Sequence, residues 1–213
     1  MAARDYGQYS GVTRAMELVG ERWALLIVRD LLVGPRRYGE LAAGLPRIPS
    51  NILAARLKEL QAVGVIRRAP RSRVVVYQLT PYGRELEPVV LALGAWGFKA
   101  MGDPREEQII TPDSMTMDLR AAFRPEVAAN LPATSYAARL GAAQLLIRVD
   151  GSTLEVTRGD GPADLAFAAG PDIHRLISGD LAPDRAIVTG VVEVLRGHVD
   201  LLDRFASTFH LAA

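Results

Sequence analysis

The side chains able to do chemistry in this 213-residue chain are few, and their spacing excludes more than it suggests. Cysteine is absent, which removes disulfides, thiolate nucleophiles, thiol redox sensing and cysteine zinc sites together. The three histidines, His174, His198 and His210, stand 24 and 12 residues apart, unlike the short spacings of zinc sites, so no metal ligand set is expected. Gly159-Asp160-Gly161 is followed by Pro162 and by no helix carrying Lys-Ser/Thr, so it is not a phosphate loop. Asp160 and Asp164 bracket a turn and could pair as acid and base, but no nucleophile is placed beside them. The expectation is no catalytic residue, no cofactor and no enzyme. Arginine is more informative. Arg36, Arg37, Arg71 and Arg73 are suited to gripping phosphates, and Ser50 and Asn51 to donating and accepting at base edges.

Charge supports looking for nucleic acid in the first half only. The chain carries 25 Lys+Arg against 24 Asp+Glu, a net of +1. This sum hides a net of +7 over residues 1–102 and −6 over 103–213. Gly102-Asp103-Pro104 opens a polar stretch that runs to Asp113, so the expected division is a domain at 1–102, a linker at 103–112 and a domain at 113–213. With 49% hydrophobic and 23% charged residues, both parts can bury cores. The longest charge-free stretch, Val127 to Ala138, has 12 residues and cannot span a hydrocarbon core of about 30 Å. The opening residues lack the basic-then-apolar order of a secretory signal, so a cytoplasmic protein with no membrane partner is expected.

The elements that must position the arginines follow from apolar spacing and from glycine and proline. A first helix runs from Gly11 to Gly20 through Val12, Ala15, Met16, Leu18 and Val19. A second starts near Glu21 and stops at Gly34-Pro35, and a short third runs from Tyr38 to Leu45, ended by Pro46. The fourth, Ser50 to Val63, buries Leu53, Leu57 and Leu60 and leaves Ser50, Asn51, Ala54, Ala55 and Lys58 on another face. Val65–Ala69 and Arg73–Leu79 read as a hairpin turning at Pro70-Arg71-Ser72. Thr80 then caps a last long helix with Pro81 at its first position and Leu86, Val89, Val90, Leu93 and Trp96 on one stripe. This is the order of a winged helix-turn-helix. Its fourth helix would be about 21 Å long and fit a major groove about 12 Å wide.

Four stretches give this half its resemblance to a known family: Leu18-Val19-Gly20-Glu21-Arg22-Trp23-Ala24-Leu25-Leu26, Gly34-Pro35-Arg36-Arg37-Tyr38, Leu53-Ala54-Ala55-Arg56-Leu57-Lys58-Glu59-Leu60 and Tyr77-Gln78-Leu79-Thr80-Pro81-Tyr82-Gly83. Over residues 9–99 the chain resembles the HxlR family of bacterial regulators, within the MarR-like winged-helix group. The resemblance implies a homodimer that binds double-stranded operator DNA and pairs its first and last helices across the two-fold axis. Val12, Met16, Val89, Leu93 and Trp96 would lie at that interface. It further implies DNA contacts from Arg36, Arg37, Tyr38, Ser50, Asn51, Arg56, Lys58, Arg71 and Arg73. Two of these stay open: Arg56 could instead tie helices through a carboxylate or carbonyl, and Lys58 could be plain solvated charge. Trp23 and Trp96 read as core or interface aromatics. Many family members carry a cysteine just before the first helix; here Tyr9-Ser10-Gly11 stands there, so a signal must enter elsewhere.

The acidic half reads as an α+β domain with a small sheet. A helix over Asp113–Arg124 precedes extended segments at 134–140, 143–149, 153–157 and 164–168, with Asp150-Gly151 as a hairpin turn. A helix at 171–178, a strand at 191–195 and a closing helix at 198–209 follow. Over residues 112–211 this order resembles the sterol-carrier-type fold. The resemblance implies an apolar cavity for a hydrophobic small-molecule effector, lined by Leu145, Ile147, Phe167, Leu176, Val192, Phe205 and Phe209. The functional expectation is a dimeric, sequence-specific transcriptional regulator modulated by that effector. The alternative is a carrier of lipids or hydrophobic metabolites that uses the winged helix mainly to dimerise.

Overall fold

Proline and glycine set the boundaries of the first elements in the structure, a computed structural model that describes residues 5–211. α1 spans Gly11–Val19 and α2 spans Ala24–Val33, each followed by a glycine. The second helix, expected from near Glu21, begins three residues later. Trp23 sits at φ 80°, a left-handed conformation that breaks the helical path, and Ala24 N–H bonds back to Glu21 O at 2.9 Å to close a turn. α3 (Tyr38–Gly44) and α4 (Ser50–Ala62) are separated by a short turn holding Pro46 and Pro49. Gly44 closes α3 directly over Asp30 of α2. An added Cβ there would lie 2.8 Å from the Asp30 carboxylate, which is buried and held by Arg29 at 2.7 Å.

β1 (Ile66–Arg71) and β2 (Val74–Leu79) form the antiparallel hairpin. Its turn is tighter than expected. Pro70 and Arg71 pair with Val75 and Val74, and only Ser72, at φ 56°, and Arg73 lie outside the strands. α5 (Pro81–Arg84) and α6 (Glu87–Phe98) replace the single long helix. The reason is Pro88: in a continuous helix it would lack the N–H for Arg84 O and crowd that carbonyl, whereas near the start of a new helix it costs nothing. α5 is also pinned. Thr80 Oγ1 accepts from Gly83 N–H at 3.0 Å, and a Cβ on Gly83 would meet Val65 O at 2.1 Å.

By packing, the described chain falls into two compact units, one ending at Val90 and the other beginning at Leu91. The division lies inside α6, earlier than the charge boundary at Gly102, because Phe98 at the end of that helix is buried in the core of the second unit. The first unit closes on Ile27, Val28, Leu31, Leu41, Leu53, Leu57, Leu60 and Ile66.

The second unit contains α7 (Pro112–Ala122), α8 (Pro125–Ala128), β3 (Thr134–Leu140), β4 (Ala143–Asp150), β5 (Thr153–Arg158), β6 (Leu165–Ala169), α9 (Ile173–Ser178), α10 (Pro183–Val188), β7 (Val192–Arg196) and α11 (Asp200–Thr208). The five strands lie in the order β5-β4-β3-β6-β7. β6 runs parallel to β3, and the other pairs are antiparallel. The short helices α8 and α10 were not expected, although each opens on a proline at its first position.

Inward positions of β3, β4 and β6 share one face of the sheet, and α11 inserts Phe205 into it. The Phe205 ring lies 5.2 Å from Tyr136, 5.3 Å from Phe167 and 4.7 Å from Phe209. This corrects the expected ligand cavity. Leu145, Ile147, Phe167, Leu176, Val192, Phe205 and Phe209 are all buried and fill the core, leaving no open lining at these residues for a carried lipid.

Candidate nucleic-acid interface

α4 presents two faces because its apolar residues recur every three to four positions. Leu53, Leu57 and Leu60 are buried, while Ser50, Asn51, Ala54 and Lys58 are exposed. The exposed face is short-chained at its N-terminal end, so the helix axis can approach another surface closely. Its start is fixed by Tyr38, whose phenol donates to Ser50 O at 2.8 Å. That bond ties the first residue of α3 to the first of α4 and makes Tyr38 a positioning residue for the helix-turn-helix.

The expected cations separate into two groups. Arg71 and Arg73 are exposed at the tip of the hairpin. Arg37 is exposed at the start of α3, where its backbone N–H donates to Glu40 Oε2 at 2.6 Å. Arg36 is half-buried: its backbone bridges Tyr77 of β2 through bonds of 3.0 and 2.7 Å, and its guanidinium donates to Pro35 O at 3.0 Å. Arg56 is a correction. Its side chain is only 12% exposed and is held by Glu21 at 2.9 Å and by Glu59, so it ties α4 to the turn before α2 instead of facing outward. An arginine one turn from a glutamate, with another acid near the preceding helix, was the available signal.

Arg47, Arg67 and Arg68 were not among the expected DNA contacts. Arg47 is exposed in the turn between α3 and α4, and Arg67 and Arg68 are exposed along β1. Position was their signal, since each flanks the two elements that carry the other candidates. Together these residues put positive charge on both sides of the exposed face of α4 in sequence, which is the arrangement needed to hold phosphates beside a groove-reading helix.

The residues expected at a subunit interface are all exposed. Val12 and Met16 lie one turn apart on α1, at 74% and 45% exposure. Val89, Leu93 and Trp96 follow at helical spacing on α6, with Trp96 at 75%.

The acid-base pair considered in the second half is not assembled as one. Asp164 accepts from Ser135 N–H and Ser135 Oγ, both at 2.7 Å, and these bonds hold its carboxyl below the usual carboxylate range. Asp160 accepts from Arg139 at 2.8 Å and from Gly161 N–H at 2.9 Å, and is lowered as well. Both carboxylates are tethers that fasten the 159–164 loop to β3, and neither is suited to donating a proton near neutrality. Ser135→Ala should raise the Asp164 pKa toward its ordinary value, read by carboxyl NMR titration. Because the folded pKa is depressed, the serine stabilises above the unfolded carboxylate value of about 3.9, and this gain is lost as pH falls through the folded value. A stability difference between wild type and variant that grew on acidification would contradict this. Among the described residues no group of three His, Cys, Asp or Glu is gathered to hold a metal, and no helix is long and apolar enough to cross a membrane.

Comparison with known proteins points the same way. Residues 18–104 match the family model described as HxlR-like helix-turn-helix. The uncharacterized HTH-type transcriptional regulator Rv3095 of Mycobacterium tuberculosis is 44% identical over 96 residues, which are 44% of this chain and 60% of that protein. The match thus spans about 60% of the length of this curated relative. The uncharacterized HTH-type transcriptional regulator YvaP of Bacillus subtilis is 37% identical over 86 residues, 39% of this chain and 80% of YvaP. A crystal structure of the HTH-type transcriptional regulator YtcD aligns with a TM-score of 0.41 at 36% identity, covering 45% of this chain and 100% of that one. With residues 18–104 matching that family model and 80% of YvaP's length covered at 37% identity, the chain belongs to the HxlR-like helix-turn-helix family.

Proposed function

We propose that this protein is a cytoplasmic, homodimeric transcriptional regulator that binds a pseudo-palindromic operator through α4 and the β1-β2 wing. The observation that carries the reading is α4 itself. A helix of 13 residues, about 20 Å long, offers small and hydrogen-bonding side chains at its N-terminal end and is flanked in the chain by exposed arginines. Ser50 and Asn51 read base edges, and Arg37, Arg71 and Arg73 hold phosphates. The exposed apolar residues of α1 and α6 supply the dimer face. The second unit is a sterol-carrier-type module by its order of helix, strands, helices, strand and helix, and serves effector sensing.

Operator binding is tested by gel retardation with DNA from upstream of the protein's own gene. Half-sites should lie about 34 Å apart or a multiple of this. Arg71→Ala with Arg73→Ala should weaken binding to all sequences alike, by tenfold or more. It should also flatten the slope of log K against log salt by about 1 for each phosphate that is no longer neutralised. A sequence-dependent loss with an unchanged salt slope would show that the wing does not touch phosphates.

A further inference from the structure

Helices α7 to α11 each send a side chain into the core beneath one face of the five-stranded sheet, and the other face carries a groove of about 590 Å³. Strand register builds it. Side chains alternate along each strand, so Tyr136, Ala138, Leu165 and Phe167 face the core while Ala137, Arg139 and Ala166 face away. Ala137 pairs with Ala166 and Ala166 with Arg196, which makes the floor short-chained. The 159–164 loop forms one wall: a Cβ on Gly161 would stand 3.5 Å from Leu146, and Asp160 holds Arg139 at 2.8 Å. β7 forms the other. Arg196 and Val194 pair with Ala166 and Phe167, so Leu195 is the extra residue of a β-bulge that sets it beside Arg196 on the groove. Gly197, at φ 99°, packs so closely that a Cβ there would meet Asp164 O at 2.1 Å, which fixes the end of β7 against the loop.

The charges that line this groove do not cancel. Arg139 and Arg196 against Asp160 leave a net of +1. Asp160 is committed to Arg139 and to Gly161 N–H, whereas among the described residues the Arg196 guanidinium makes one long hydrogen bond, to Ala163 O at 3.5 Å. A guanidinium offers five N–H donors in a planar fork, so most of those on Arg196 are open to a partner. That fork matches the two oxygens of a carboxylate. One negative charge also balances the site, where a doubly charged phosphate would leave a surplus beside Asp160. Leu195 and Ala166 give the body of the ligand a small apolar bed.

We infer that this groove binds a small organic acid, a monoanion whose carboxylate is clasped by Arg196 and whose body lies on Leu195 and Ala166. The inference deepens the effector-sensing reading above by giving it a site and a ligand chemistry. Binding is measured without DNA, so the two can fail separately. Acid bound by the protein with no change in operator affinity would support this site and refute effector sensing.

The test uses the full chain and ligand-observed NMR titration with three probes of the same body: cyclohexanecarboxylate, its carboxamide and cyclohexyl phosphate. The carboxylate should bind about tenfold more tightly than the carboxamide, and more tightly than the phosphate. Arg196→Gln should erase the preference for carboxylate over carboxamide. Ala166→Leu, at a half-buried position on the open face, should weaken carboxylate binding about tenfold by filling the floor. Asp160→Asn keeps an oxygen for Arg139 but removes the opposing charge, so it should tighten carboxylate binding several-fold. Arg148→Gln lies on the same face, paired with Ser135 and outside the groove, and should change nothing. That control separates a built site from general attraction to a basic surface. Carboxylate bound no better than carboxamide would overturn the proposal. So would phosphate bound more tightly than carboxylate, or a folded Arg196→Gln protein that loses no more affinity than Arg148→Gln.

Discussion

For the proposed dimer, Leu93→Glu combined with Trp96→Glu should leave a monomer in sedimentation velocity and lower operator affinity by about 10³-fold. Both side chains are exposed on α6, at 45% and 75%, so charging them removes little from the folded chain itself. In a two-fold dimer that pairs α6 helices, the same change would bring four carboxylates together in an apolar seam, where unpaired charge is costly. The loss on DNA is larger than any single interaction explains. A dimer binds its second half-site as an intramolecular step, and breaking it removes that gain of roughly 10²–10⁴. Melting behaviour close to wild type would separate this result from unfolding. A variant that remained dimeric would place the dimer face away from α6, and a monomer with undiminished operator affinity would refute dimeric recognition.

Phe205→Ala is expected to produce the largest stability loss, about 3–5 kcal/mol, because the Phe205 ring is fully buried and three other rings close on it. Urea denaturation resolved by hydrogen exchange should show protection falling in β3, β4 and β6 of the second unit. The same substitution should open an apolar hole able to take benzene. A cost below about 1 kcal/mol would mean that the ring was not fully packed, and would reopen the core as a ligand cavity. The distinction matters because the sheet core is the ligand site that the resemblance implies.

The elements that carry the DNA-binding candidates were legible in the sequence because their signals are local. Leu53, Leu57 and Leu60 recur at helical spacing, and the β-branched arms on either side of Pro70-Arg71-Ser72 mark a hairpin. Where local signals compete, the reading slipped. Trp23 in a left-handed conformation delayed α2, and Pro88 divided the last helix of the first unit, though that proline was plainly visible and its position relative to Arg84 decides the break. α8 and α10 were missed because four and six residues carry too little periodicity.

Candidate residues divide in the same way. Exposure of Ser50, Asn51, Arg71 and Arg73 follows from which face of a helix or which end of a hairpin they occupy, and that is set by neighbours a few positions away. The Arg56–Glu59 pair, one turn apart, was within reach of such spacing, but the tie of Arg56 to Glu21 and of Tyr38 to the Ser50 carbonyl was not, since these partners are 35 and 12 residues distant.

By itself the sequence determined a cysteine-free chain with a basic winged helix-turn-helix ahead of an acidic α+β region, since composition, charge and periodicity are properties of the chain alone. Tertiary structure decided the rest. The parallel pairing of β6 with β3 joins strands separated by two others, and the burial of Phe205 among Tyr136, Phe167 and Phe209 joins three distant segments. Whether seven apolar residues line a cavity or fill a core depends on how closely their elements approach, which no spacing along the chain encodes.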